Sequence, residues 1–198
     1  MPERNCSAAL RLAAAAATAL LLAGCFTARP ISERPSDWAQ PVTHAALPNL
    51  HRVDEGLWRS ALPEDPGPDA LQALGIRSVL NLRRNGDSPA WFGAGVASHQ
   101  IAIDTWHVSD GELLAALRIA IDPVNRPLLV HCRHGADRTG LVIAAYRVVV
   151  QGWTKDAAER EMIRGGYGYH PVWINLPREL HQLDVARMRR ELGLPPTP

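Results

Sequence analysis

The chain has 198 residues, 46% of them hydrophobic and 21% charged, which suits one globular core and excludes a disordered or fibrous protein. Its formal net charge of +1 provides no general positive field, so a broad nucleic-acid-binding surface is not expected.

The N-terminus has the pattern of an export signal. Basic residues precede an apolar run over residues 12–22, which is too short for a convincing membrane-spanning helix. The run ends in LLAGC, which resembles the cleavage box of bacterial lipoproteins. We therefore predict a lipoprotein signal peptide over residues 1–24 and lipidation of Cys25. A non-lipidated secretory signal is the alternative, and both interpretations place the protein outside the cytoplasm, in the periplasm.

Residues 25–47 contain three prolines among polar residues and are predicted to be a tether. The domain is expected over residues 48–195. Within it, short apolar runs alternate with helical patterns, as in an α/β protein. Strands are predicted near residues 57–60, 76–82, 99–103 and 127–131.

Helices are predicted between and after these strands. Ser109 and Glu112 form a capping box that begins a helix over residues 110–121. Thr154 is expected to cap another helix that ends at Arg164, and Pro177 to open a last one. Two further helices are predicted, over residues 68–74 and over the very apolar residues 139–151.

The segment HCRHGADRTG, residues 131–140, lies between the last strand and the most apolar helix. A strand, a short loop and a helix N-terminus form an anion site, because the loop amides converge on phosphate oxygens and the helix dipole favours negative charge. Cys132 begins the loop and Arg138 closes it. Cys132 is also the only cysteine left once Cys6 and Cys25 are assigned to the signal and the lipid, which marks it as a candidate reactive thiol.

This segment matches HCxxGxxRTG, and the chain therefore resembles the cysteine-dependent protein tyrosine and dual-specificity phosphatases. LWRSALP and IRSVLNLR resemble the opening strands of the compact dual-specificity group, and DTWH, VVQGW and GGYGYHP resemble its periplasmic members. The resemblance covers residues 48–192. It implies an α/β domain with a central, mostly parallel sheet flanked by helices.

The resemblance also implies the roles of the loop residues. Cys132 would attack phosphorus to form a cysteinyl-phosphate, and Arg138 would bind the equatorial oxygens. His131 and Thr139 would stabilise the thiolate. The expected phosphate-binding residues are Arg133, His134, Gly135, Ala136, Asp137 and Arg138, with Arg133 and His134 facing the surface. Gly135 is expected to keep a Cβ out of the pocket.

Three aspartates compete for the role of general acid. Asp104 is preferred, because it follows a predicted strand on a loop that resembles the family's movable acid loop. Asp110 is better explained by the first turn of its helix, where a carboxylate suits the dipole. Asp137, inside the loop, is the rival, since some relatives carry the acid there.

Other functions remain open from the sequence. A metal site at His131, Cys132 and His134 lacks a fourth ligand, and neither a metal nor another cofactor is expected. A phosphoinositide or inositol phosphate phosphatase uses the same loop chemistry, and a non-catalytic phosphate-binding lipoprotein would keep the loop alone. The resemblance favours a phosphotyrosine protein as partner, such as the periplasmic part of an inner-membrane diguanylate cyclase.

Overall fold

The computed structural model describes residues 33–64, 67–92 and 95–196. The predicted signal peptide and Cys25 lie outside these residues. None of the helices in the described ranges combines the length and the apolar character needed to cross a bilayer.

A sheet of six strands in the order β1-β2-β3-β6-β4-β5 forms the centre of the described structure. The first three strands pair antiparallel, whereas the pairs β3–β6, β6–β4 and β4–β5 are parallel. This confirms the predicted α/β fold with a mostly parallel sheet. The strands are β1 (Gln40–Pro41), β2 (His51–Asp54), β3 (Leu57–Ser60), β4 (Ser78–Asn81), β5 (Ala97–Gln100) and β6 (Leu128–His131).

Helices cover both faces of the sheet. Alternate residues of a strand point to opposite faces, so that Leu129 packs with Leu71 of the first helix while Leu128 and Val130 join the larger core on the other face. The helices are α1 (Gly67–Ala73), α2 (Asp110–Ile121), α3 (Asp137–Val149), α4 (Lys155–Arg164), α5 (Asn175–Gln182) and α6 (Val185–Glu191).

Local capping signals give the predicted helix bounds most accurately. The side chain of Ser109 accepts from the backbone of Glu112, and the Glu112 side chain accepts from the backbone of Ser109, which is the predicted capping box of α2. Thr154 caps α4, as predicted. The apolar helix α3 is buried along almost its whole length.

Three predicted elements differ from the structure. Strand β5 covers residues 97–100 rather than 99–103, and α3 begins at Asp137, two residues earlier than predicted. The last predicted helix is two helices, because the backbone turns at Leu183 and Asp184 then caps α6 by accepting from Arg187 N at 2.9 Å.

The C-terminal half of the predicted tether belongs to the folded domain. Gln40–Pro41 forms β1 and pairs with β2, which the sequence did not predict. Ala39 is fully buried, and its backbone N–H donates to Glu161 Oε1 at 2.7 Å. A segment with one strand and a buried side chain does not act as a spacer, so the domain begins before residue 48.

Candidate active site

The loop of residues 132–136 leads from β6 into α3 at the carboxyl end of the parallel strands. Ser60 and Asn81, the last residues of β3 and β4, pair with His131 at this edge. Cys132 follows immediately and is only 2% exposed. Ligands of open parallel sheets bind at this edge, so the topology places the cysteine where a phosphate can meet the N-terminus of α3.

Gly135 allows the loop to pack directly on β3. Its φ is +67°, and an added Cβ would lie 2.5 Å from the carbonyl of Ser60 and 2.6 Å from the backbone nitrogen of Ala61. The sequence analysis expected a Cβ at this position to obstruct the phosphate pocket. This expectation is wrong, because the added Cβ would meet the backbone of Ser60 and Ala61 instead. The glycine is needed because the neighbouring backbone leaves no room for a side chain.

Arg59, on β3, holds the same part of the loop from inside the domain. Its side chain is fully buried, Nη2 donates to the carbonyl oxygen of Gly135 at 2.6 Å, and the guanidinium lies 3.5 Å from the centroid of the Tyr167 ring. Burial lowers the pKa of Arg59, while the neighbouring Tyr167, Glu161 and Cys132 act in the opposite direction. A buried cation is thus held close to the nucleophile loop.

His131 is fixed by a carboxylate that the sequence analysis missed. Its Nε2 lies 2.8 Å from Asp87 Oδ2, and both side chains are almost completely buried. The amide of Asn81 donates to Asp87 Oδ1 at 2.9 Å. On the other side of the ring, Nδ1 lies 3.4 Å from the carbonyl oxygen of Cys132. The pair therefore orients the backbone at the nucleophile.

Thr139 lies in the first turn of α3. It is fully buried, and its Oγ1 has no hydrogen-bond partner in the part of the chain that the structure describes. An unpaired buried hydroxyl is uncommon and costs about 1–3 kcal/mol.

A cleft of about 660 Å³ opens beside the loop. Arg138 reaches this cleft, and its Nη1 donates to the carbonyl oxygen of Leu82 at 3.4 Å. The walls combine four arginines, apolar side chains and one carboxylate: Leu62, Arg83, Arg84, Asn85, Ile103, Asp104, Thr105, Arg133, Arg138 and Trp173. The cleft therefore suits an anionic group attached to an apolar one.

Asp104 is the acidic residue in the walls of this cleft. Its Oδ1 accepts from the backbone N–H of Trp106 at 3.0 Å, and its Oδ2 lies 3.5 Å from Arg84 Nη2. The side chain is 43% exposed. The carboxylate is thus oriented by the backbone and remains accessible to a substrate in the cleft.

The two rival aspartates are engaged elsewhere. Asp137 is nearly buried, and its carboxylate is directed at His170, whose backbone N–H donates to Oδ1 at 2.9 Å and whose Nδ1 lies 2.9 Å from Oδ2. Asp110 forms an ion pair with Arg187 at the surface. Neither is among the described residues that line the cleft with Arg138. Of the remaining loop residues, Arg133 and His134 are exposed and Ala136 is buried.

Several residues at the site could not be assigned from sequence. Arg59 lies in LWRSALP, and Arg83 in the segment that contains IRSVLNLR, but neither motif shows which side chains are buried or directed at the cleft. Asp87 occurs in a turn-like NGDSP segment whose neighbour His131 is 44 residues away in sequence. Only the tertiary structure brings these groups to the loop.

Fold and site together define the class of this protein, because a cysteine and an arginine that enclose an anion loop after a parallel strand are the signature of the dual-specificity phosphatases. Residues 63–191 match the family described as "PTP-SAK: Swiss Army Knife protein, DSP-PTPase phosphatase domain". The chain is also 41% identical over 161 residues to the dual specificity protein phosphatase TpbA of Pseudomonas aeruginosa. This alignment covers 79% of this chain and 72% of TpbA. The chain belongs to this phosphatase family and is an enzyme of the protein tyrosine phosphatase type.

A solved structure of TpbA and a second, different relative also match the chain. The crystal structure of a Cys→Ser variant of Pseudomonas aeruginosa TpbA in complex with pTyr has a TM-score of 0.72 and 35% identity, covering 81% of this chain and 99% of that chain. An inositol diphosphatase of Arabidopsis thaliana is 28% identical over 118 residues, covering 53% of this chain and 57% of its own. The inositol enzyme is thus the more distant of the two.

Proposed function

We propose that this chain is an exported phosphatase that hydrolyses phosphotyrosine in proteins through a cysteinyl-phosphate intermediate. The observation that supports this most directly is the common cleft at the phosphate loop, where Arg138 and the carboxylate of Asp104 lie beside the loop that begins at Cys132. A nucleophile, an anion clamp and an acid are the groups that such a reaction requires.

In the first step, the thiolate of Cys132 attacks phosphorus and the S–P bond forms. The bond between phosphorus and the tyrosine oxygen breaks, and that oxygen takes the proton of the Asp104 carboxyl group. Arg138 donates two hydrogen bonds to the equatorial oxygens, and the N-terminus of α3 stabilises their negative charge.

In the second step, water attacks phosphorus and transfers a proton to the Asp104 carboxylate. The S–P bond breaks, which releases inorganic phosphate and returns the thiolate. The unpaired Oγ1 of Thr139 is placed in the first turn of α3 to donate to the departing sulfur. This assignment gives the buried hydroxyl the partner it lacks.

The apolar part of the cleft favours an aryl phosphate. Leu62, Ile103 and Trp173 form its apolar walls, and a phenyl ring can cover these surfaces where a serine side chain is too short to reach. The pTyr complex of TpbA supports the same substrate class. We therefore expect higher kcat/KM on phosphotyrosine peptides than on phosphoserine peptides.

The arginines of the cleft favour a second candidate, an inositol phosphate or phosphoinositide. Arg83, Arg84 and Arg133 lie in the walls together with Arg138, and the sequence analysis had counted only the last two. Several guanidinium groups suit a polyanionic ring. Parallel kcat/KM measurements on a phosphotyrosine peptide and on inositol polyphosphates decide between the two. If Arg83→Gln and Arg84→Gln reduce kcat/KM only on inositol polyphosphates, Arg83 and Arg84 serve that substrate.

Export and a membrane partner are further parts of the proposal. LLAGC, residues 21–25, supports a lipid on Cys25, and a lipid anchor would bring the domain near phosphotyrosine on the periplasmic part of an inner-membrane protein such as a diguanylate cyclase. Labelling of the cells with a fatty-acid analogue tests the anchor. Cys25→Ala should lose both the label and the membrane fraction, whereas equal labelling of the variant would contradict lipidation at this residue.

The chemical step is tested with Cys132→Ser. The variant should lose turnover on a phosphotyrosine peptide, while binding of the peptide survives because Arg138 and the loop amides remain. Rapid acid quench of the wild type should trap phosphate on Cys132. If turnover of the variant equals that of the wild type, the cysteine mechanism is wrong, and if the wild type itself has no turnover on any phosphate ester, the non-catalytic phosphate-binding lipoprotein is the better description.

A further inference from the structure

A group of three metal-ligating side chains lies on the outer side of the phosphate loop. His134, Asp137 and His170 each offer a ligand atom, and these atoms all lie within 4.8 Å of one another. Among the described residues, this is the one group of three or more histidine, cysteine or acidic side chains whose ligand atoms lie this close together. None of the three has its ligand atoms in the cleft that holds Asp104.

We propose that His134, Asp137 and His170 form a binding site for a divalent transition metal ion of the zinc type. Two imidazoles and a carboxylate are the ligands that Zn²⁺ takes when a water molecule completes a tetrahedral site. Bonds of about 2.0–2.1 Å place tetrahedral ligands about 3.3 Å apart. The 2.9 Å between His170 Nδ1 and Asp137 Oδ2 is already close to that spacing.

The third ligand, His134, can reach the ion by rotation of its side chain alone. His134 is exposed, and its ring centroid lies 5.0 Å from that of His170 at an angle of 52°. Drawing its ligand atom from within 4.8 Å to about 3.3 Å of the others requires a shift of about 1.5 Å. An exposed imidazole can make this shift without disturbing the packed interior.

The backbones that carry these ligands are already tied together. Asn49 Nδ2 donates to the carbonyl oxygens of both His134 and Tyr167, each at 2.9 Å. The backbone N–H of His170 donates to Asp137 Oδ1 at 2.9 Å, which orients the carboxylate. Such outer contacts hold ligands in place and increase metal affinity.

The site is also accessible to an ion from solvent. His134 and His170 line a second cleft of about 590 Å³, which opens to solvent next to the catalytic one.

The ion would take the place of the direct contact between His170 and Asp137. On binding, His170 Nδ1 and the Asp137 carboxylate, which lie 2.9 Å apart, each donate an electron pair to the ion, and a hydrogen on Nδ1 moves to Nε2 or to solvent. No oxidation or reduction is involved. The positive charges of Arg133 and Arg138 oppose the ion and lower its affinity, and the proposed phosphatase steps do not require it.

Cobalt(II) is the probe, because its visible absorption reports a tetrahedral site without any activity measurement. The full chain is titrated with CoCl₂ after treatment with a chelator. We expect one ion per chain and an intense tetrahedral spectrum, which Zn²⁺ abolishes by displacement. His134→Ala, at an exposed position, removes a direct ligand and should weaken binding by at least about 10- to 100-fold, the loss that removal of an outer hydrogen-bond partner of a ligand already causes. His170→Ala should do the same.

Two control variants separate this site from other metal-binding groups. His181 is also an exposed histidine beside carboxylates, 2.7 Å from Glu159 and 3.8 Å from Asp156, so His181→Gln should leave cobalt binding unchanged. Cys132→Ser should likewise leave it unchanged. If Cys132→Ser removes binding and a sulfur-to-cobalt band is seen, the thiolate is the ligand and the proposal is wrong. It is equally wrong if folded His134→Ala binds as the wild type does.

Discussion

The assignment of Asp104 as the general acid is tested by Asp104→Asn. Asparagine keeps the Oδ1 that accepts from the backbone of Trp106 at 3.0 Å, so the loop geometry is preserved while the transferable proton is lost. The other contact is the 3.5 Å ion pair between Asp104 and Arg84, whose side chains are 43% and 77% exposed. Loss of an exposed pair costs about 0–1 kcal/mol, so the variant should fold normally.

The expected effect lies in the chemical step. Removal of a positioned acid reduces turnover by about 10²- to 10⁴-fold. At about 1.36 kcal/mol per factor of ten, this corresponds to about 3 to 5 kcal/mol of transition-state stabilisation. The loss should shrink on aryl phosphates with strongly acidic phenols, because their leaving oxygen needs little protonation. Asp104→Asn should therefore hydrolyse phosphotyrosine peptide poorly and an activated aryl phosphate comparatively well.

The assay is a series of kcat values on aryl phosphates of increasing leaving-group pKa, measured for the wild type and three variants. Asp137→Asn keeps the oxygen that accepts from the His170 backbone but loses the contact between Oδ2 and His170 Nδ1. It should reduce stability by about 1–3 kcal/mol, with a similar loss of turnover on every substrate. Asp110→Asn, at the surface pair with Arg187, should cost at most about 1 kcal/mol and leave turnover unchanged.

The pattern that refutes the assignment is equally clear. If the loss in Asp104→Asn is the same for good and poor leaving groups, Asp104 does not protonate the departing oxygen. If Asp137→Asn alone shows the leaving-group-dependent loss, the acid lies in the phosphate loop, despite the contacts of Asp137 with His170. Full activity of all three variants on phosphotyrosine would place the acid on another group.

Two further predictions concern stability. Glu161 forms a buried ion pair with Arg147 at 2.8 Å. Glu161→Gln should lower the free energy of unfolding by about 3–5 kcal/mol, as measured by urea denaturation. Glu159→Gln, at a partly exposed position on the same helix, should lower it by at most about 1 kcal/mol. An equal effect of the two variants would contradict the burial argument. Burial lowers the pKa of His51 from 6.5 to about 4, and the hydrogen bond to the Asn49 backbone acts in the opposite direction. Between these two pH values, the unfolded state binds more protons than the folded state. The free energy of unfolding should therefore fall as the pH falls from 6.5 to 4. At about 1.36 kcal/mol per pKa unit, His51→Asn should remove up to about 3 kcal/mol of this loss of stability. If the variant loses stability with pH as the wild type does, His51 is not the source of the pH dependence.

Sequence predicted the parts of this structure whose signals are local. The capping box of Ser109 and Glu112 gave the start of α2, because the cap is a contact between residues three apart. Strands β1 and β2 were not predicted, since Gln40–Pro41 is stabilised by pairing with a neighbouring strand rather than by its own composition. The break at Leu183 was also missed, although Asp184 carried a capping signal that could have shown it.

The same distinction applies to the site. Cys132 and Arg138 could be proposed from sequence because the loop that carries them is continuous. Their supports could not, since Asp87 and Arg59 are 44 residues from His131 and 76 residues from Gly135 in sequence and contact them only in the folded domain. A motif therefore identifies the groups that react more readily than the groups that hold them.

These supports explain why the loop can serve as a rigid anion site while the proposed acid, Asp104, keeps a partly exposed side chain. Asp87 fixes the loop at His131, Arg59 fixes it at the carbonyl of Gly135, and each contact is buried. Donors held in advance need no reorganisation when charge develops on the phosphate, which is where such a site gains most of its transition-state stabilisation. The side chain of Asp104, by contrast, is held by one hydrogen bond to a backbone N–H and by an exposed ion pair, so its carboxylate can rotate toward the leaving oxygen of each substrate. Variation among substrates should therefore appear in the protonation step rather than in phosphate binding.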